Sequence, residues 1–63
     1  MSTLLSHSYS DFDLGDEVSF LCDGLRLYGE VVRVYNTRDN YHVEVDGRRY
    51  FVSRQDDDMR RER

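Results

Sequence analysis

Tyr41-His42-Val43-Glu44-Val45-Asp46-Gly47-Arg48-Arg49-Tyr50-Phe51-Val52 is the stretch that decides the fold. Asp-Gly between two runs of alternating apolar residues is the strongest short-range signal for a hairpin, and it favours a type I′ turn. A two-residue loop fixes the register. Val45 then faces Arg48, Glu44 faces Arg49, Val43 faces Tyr50, and Tyr41 faces Val52. Because strand side chains alternate with period two, one face carries Tyr41, Val43, Val45, Tyr50 and Val52 and reads as core. The other carries His42, Glu44, Arg49 and Phe51. A cross-strand ion pair between Glu44 and Arg49 is expected, contributing only a few tenths of a kcal/mol.

Upstream, Glu17 to Cys22 alternates in the same way, with Val18, Phe20 and Cys22 on the buried side. Asp23-Gly24 is a second turn tolerant of positive φ. Leu25 to Tyr35 is a longer β-rich run broken by Gly29. A glycine inside a strand marks a bend or the close approach of another backbone. Asn36 to Asn40 reads as a polar loop.

The ends read differently. Residues 1–11 form an expected flexible tail in which only Leu4, Leu5 and Tyr9 could pack, with order beginning near Phe12. Residues 12–55 are the foldable unit, and 56–63 a charged C-terminal tail. There Ser53 can cap a single helical or 3₁₀ turn, with Asp56–Arg60 and Asp57–Arg61 as i, i+4 pairs. Met59 is the only apolar residue after Val52, so the chain is expected to fray beyond that turn.

Composition bounds the function. At 63 residues with net charge −4, the chain is a single small domain without the net basic field usual for a nucleic-acid binder. All nine basic residues are arginine, so every cation is a planar fork suited to bidentate pairing and stacking. The lone Cys22 rules out an intrachain disulfide and fits a reducing interior. No run approaches the ~20 apolar residues that span a bilayer, and the first ten residues lack the pattern of a signal peptide. The expectation is a cytoplasmic protein with no membrane contact. Two histidines and one cysteine have no metal-ligand spacing, and Asp56-Asp57-Asp58 lacks the glycine and distal glutamate of an EF-hand, so no metal or other cofactor is expected.

Gly15-Asp16-Glu17-Val18, the turn glycine Gly24, and Gly29-Glu30-Val31-Val32-Arg33-Val34 resemble the KOW motif and the related Tudor-like modules. The resemblance covers residues 14–52. It implies an all-β fold, a small SH3-like barrel of four or five short antiparallel strands with flexible termini. Members of these families mostly bind ribosomal RNA, RNA polymerase and its factors, nucleic acids, or peptides carrying methylated side chains. This chain departs from them in its acidity and in lacking a legible fifth strand after Val52, which leaves a sheet edge open to pairing and makes a homodimer through that edge an expectation.

The leading expectation is a non-enzymatic module or small regulator docking on a protein partner, such as the transcription or translation machinery or a host enzyme, in the manner of a phage-type inhibitor. The expected contact residues are Tyr28, His42, Arg48, Arg49 and Phe51. One alternative is a KOW-type contact to RNA or DNA through Arg33, Arg48 and Arg49. The other is a Tudor-like reader of methylated side chains, which needs three or four converging aromatics. Only Tyr28 and Phe51, with Phe20 or Tyr50, could supply them, and the last two read as core. The start of the run also resembles the small type II dihydrofolate reductases, but Arg48-Arg49-Tyr50-Phe51 stands where their active segment carries a glutamine.

Overall fold

A computed structural model describes residues 12–35 and 39–62; the N-terminal tail expected over residues 1–11 and most of the loop after Tyr35 lie outside the described residues. Five antiparallel strands form one open sheet: β1 (Glu17–Cys22), β2 (Leu25–Val34), β3 (Asn40–Val45), β4 (Arg48–Ser53) and β5 (Arg60–Arg61). Their order across the sheet is β4-β3-β2-β1-β5.

The two hairpins form as the sequence dictates. Asp46 and Gly47 adopt φ of 50° and 82°, and Asp23 and Gly24 adopt 52° and 81°. Positive φ at both central residues defines the type I′ turn, whose twist matches that of the flanking strands. The β3–β4 register is the one read from the sequence, from Tyr41 opposite Val52 to Val45 opposite Arg48.

The core lies against one side of the sheet. Val18, Phe20, Val31, Tyr41, Val43 and Val52 are fully buried there; Phe12 and Met59 belong to the same buried cluster, and Cys22, Leu27, Val34, Val45 and Tyr50 pack against it partly buried. Phe12 packs edge-on against Tyr41, with ring centroids 5.5 Å apart, and its backbone N–H donates to the Tyr41 hydroxyl at 3.3 Å. Gly29 is required by contact. A Cβ there would meet the Glu44 carbonyl oxygen and lie 2.7 Å and 2.9 Å from the methyls of Val45 and Val43. This is the close backbone approach expected of a glycine within a strand.

A β-bulge in β2 sets which residues reach solvent. Val31 faces Val43, but the next paired residue is Arg33, opposite His42, followed by Val34 opposite Tyr41. One extra residue on one strand shifts the alternation by one place. Arg33 and Tyr35 therefore turn to the outer face, while Val34 takes the inward position.

The chain beyond Val52 departs from the sequence reading. A single turn does form. The Ser53 hydroxyl accepts from the Asp56 N–H at 3.3 Å, and the Asp57 carboxylate accepts from the Ser53 N–H at 2.8 Å. The turn ends with Asp58 at φ 49°, the Asp58 N–H donating to the Gln55 carbonyl and the Met59 N–H donating to the Arg54 carbonyl. That pair of bonds around a left-handed residue is the Schellman arrangement, which stops a helix and turns the chain back. The expected i, i+4 pairs are replaced: Arg60 pairs with Asp58 at 2.9 Å and Arg61 with Asp16 at 2.9 Å. The chain does not fray over the described residues. Met59 enters the core with 7% of its surface exposed, and Arg60 and Arg61 pair with Ser19 and Val18 of β1. The fifth strand that the sequence hides is thus supplied by the chain's own last residues, and the edge of β1 is covered.

Candidate functional site

Opposite the core, the sheet presents an outer face on which cross-strand register aligns side chains in rows. One row runs Glu17–Glu30 across β1 and β2 and Glu30–Glu44–Arg49 across β2, β3 and β4. The neighbouring row runs Arg33–His42–Phe51.

The second row, extended by Tyr35, is an aromatic cluster. Tyr35, His42 and Phe51 meet pairwise edge to face, with centroids 5.3, 5.5 and 5.7 Å apart. The Tyr35 hydroxyl and His42 Nδ1 share a hydrogen bond of 3.2 Å. The Arg33 guanidinium lies over the Tyr35 ring, 5.0 Å from its centroid. Edge-to-face geometry is the favoured aromatic arrangement, and each such contact adds about 0.5–1.5 kcal/mol beyond area burial. The cluster is therefore preorganised, yet Phe51 remains 62% exposed.

The first row opens into an acidic cleft of about 360 Å³ lined by Glu17, Tyr28, Glu30, Glu44, Asp46 and Glu62. Tyr28 stands 60% exposed on its wall. Gly29 also borders the cleft.

Beyond the cleft the face is closed by a polar network that anchors β5. The Ser19 hydroxyl is fully buried; it donates to Glu62 Oε2 at 2.5 Å and accepts from Arg26 Nη1 at 2.8 Å. Arg26 Nη2 reaches Asp58 Oδ2 at 2.5 Å, and Arg60 pairs with the same oxygen. Desolvation works against ionisation of Asp58, but hydrogen bonds and attraction from Arg60 and Arg26 outweigh it and hold its carboxyl below the ordinary value of 3.8.

The structure divides the residues singled out in the sequence. His42 and Phe51 come together, and Arg49 stands beside them in the next row on the same face. Tyr28 does not join them. It is level with Ser19, five residues before Arg33, or about 16 Å along the strand at ~3.3 Å per residue. Arg48 lies opposite Val45, on the core-side parity at its exposed rim, so Arg33, Arg48 and Arg49 do not share one face. Phe20 and Tyr50 pack together on the core side at 5.6 Å, leaving Tyr28 and Phe51 apart rather than converging on a cage. The register brings Glu44 and Arg49 opposite each other as expected, but no ion pair joins them among the described residues.

Tyr35 and the acidic cleft are the features of this face that sequence reading misses. Tyr35 reaches the outer face only through the bulge. The cleft depends on strand register between Glu17, Glu30 and Glu44, which are far apart in the sequence. Among the described residues no group of three or more histidine, cysteine or acidic side chains is arranged to hold a metal ion, and no helix is long and apolar enough to cross a membrane. No known protein family, curated protein or solved structure matches the chain.

Proposed function

We propose that this chain is a non-enzymatic binding module of the SH3-like small-barrel type that docks on a protein partner through the outer face of its sheet. The observation that carries the reading is Phe51, exposed on edge strand β4 of a face whose core lies on the other side, and packed edge to face against His42 and Tyr35. Rigid, exposed aromatics flanked by arginine are the residues that dominate protein interfaces, because they bury large area with little rotamer entropy to lose. The strand order β4-β3-β2-β1-β5 and the long second strand, with its glycine and its bulge, agree with a small barrel of this type.

A protein partner is favoured over naked nucleic acid by the same face. Arg33 stands one row from Glu30 and Glu44, and Arg49 directly opposite Glu44, so a phosphate backbone tracking along Arg33 and Arg49 would meet carboxylates within the same footprint. A protein can match both signs.

Affinity capture from native lysate with Phe51→Ala beside the wild-type chain tests the reading. Truncating an anchor of this kind costs about 2 kcal/mol or more of binding, roughly a thirtyfold loss. The variant is expected to lose the captured protein while keeping its circular dichroism and melting temperature. Capture that survives the substitution places docking elsewhere.

A further inference from the structure

The outer face carries two rows of opposite character side by side, and that arrangement has a consequence for association. Glu30 and Glu44 are cross-strand neighbours, with Glu17 opposite Glu30 on the other side. Like charges placed directly opposite destabilise a sheet. Among the described residues no arginine pairs with Glu30 or Glu44: Arg26 and Arg60 are engaged with Asp58, Arg54 with Asp39, and Arg61 with Asp16. Arg49, at the end of the row, makes no ion pair with Glu44. One row further along stand Arg33, His42 and Phe51.

An isologous interface must be self-complementary, since each patch on one copy meets a different patch of the other across a two-fold axis. Place such an axis between the two rows, in the plane of contact and running from strand to strand. The acidic row of each copy then lies over the arginine-aromatic row of the other. Glu30 meets Arg33 of the second copy, Glu44 meets its His42, and Arg49 passes over its Phe51 ring. Every apposition occurs twice.

We infer that the outer face binds a second copy of this chain, face to face, by this pairing of acidic row with arginine-aromatic row. The inference rests on the reading of that face as a docking surface and names one occupant for it. The acidic cleft, open above Gly29 and walled by Tyr28, receives the Arg33 side chain of the second copy between carboxylates. Association also supplies burial that so small a core lacks, which is a common recourse of domains of this size. A protein that docks on Phe51 must then displace the second copy.

Sedimentation of the full chain from micromolar to millimolar concentration tests the inference, using paired charge reversals. Wild-type protein is expected to dimerise at low salt and to weaken as salt is raised, because the pairing groups are exposed. Glu30→Arg and Arg33→Glu, each alone, place like charges together twice per dimer and are expected to be monomeric. An equimolar mixture of the two variants restores opposite charge at every apposed position and is expected to dimerise again. Circular dichroism confirms that each variant is folded; Glu30→Gln repeats the test with a smaller loss of association if a reversal disturbs the sheet. A wild-type chain that stays monomeric at millimolar concentration and low salt overturns the inference and leaves docking of a different protein on Phe51 standing. A dimer that survives both reversals, or a mixture that stays monomeric, overturns the pairing of rows.

Discussion

The β3–β4 hairpin and the β5 segment occupy opposite edges of one sheet, and different interactions hold them there. The hairpin is locally encoded: Asp46-Gly47 sets the twist, period-two alternation sets the faces, and the register follows over six residue pairs. The β5 segment pairs over two residues. It is fixed from a distance, by Met59 in the core, by the Leu21 N–H donating to the Asp57 carbonyl at 2.8 Å, and by a polar chain from Ser19 and Arg26 to Asp58 and Glu62. A strand can thus be specified by its own alternation or by the anchors on either side of it. Only the first kind can be read along a sequence.

Three substitutions separate these two modes. Gly29→Ala strikes where both edges depend on β2, and it has the largest expected effect. The added methyl overlaps the Glu44 carbonyl and two valine side chains, so β2 and β3 must part. Overpacking of this kind costs about 1–3 kcal/mol and more where backbone must move. A domain of this size holds about 3–9 kcal/mol in total. Urea denaturation should show most of the stability gone, with both edges lost together.

Met59→Ala acts on one edge. Truncating a buried methionine costs about 2–5 kcal/mol, and the low end applies here because Met59, at 7% exposed, is the least buried of the core residues. Native-state hydrogen exchange should then speed at the amides of β1 and β5 well before those of the β3–β4 hairpin. Uniform acceleration would mean that the two edges form one cooperative unit.

Asp58→Asn is the finest probe. The native carboxyl is held below its ordinary value, so its contribution is fully present above that value and is lost as pH falls through the depressed native one. Wild-type protein should lose stability over that acid range, and the variant should show a flatter acid limb with a slightly lower plateau near neutrality. An unchanged acid limb would show that Arg26 and Arg60 do not hold β5 through this carboxylate.

The same distinction explains what the sequence discloses. Val18, Phe20, Tyr41, Val43 and Val52 were legible as core because each sits in a regular alternation beside a recognisable turn. Phe51 and His42 were legible as neighbours for the same reason. Met59 was not, because a single apolar residue among charges has no period, and its burial depends on Asp58 accepting a left-handed conformation where glycine is usual. Nor was Tyr35. Its position depends on counting residues through Val31-Val32-Arg33, where alternation alone cannot reveal an unpaired one. The separation of Tyr28 from Phe51 was hidden with it.

The bulge in β2 divides that strand into two halves that are out of phase. The first half shows solvent Tyr28 and Glu30, and the second shows Arg33 and Tyr35. Had the alternation run on unbroken, Arg33 and Tyr35 would point into the core and the outer face would lose the cationic partner of its acidic row. One residue in excess acts here as a frameshift acts in a coding message, giving the same strand a different reading on either side of it. The sheet becomes two-toned at that line, and the hydrophobic interior stays continuous beneath it.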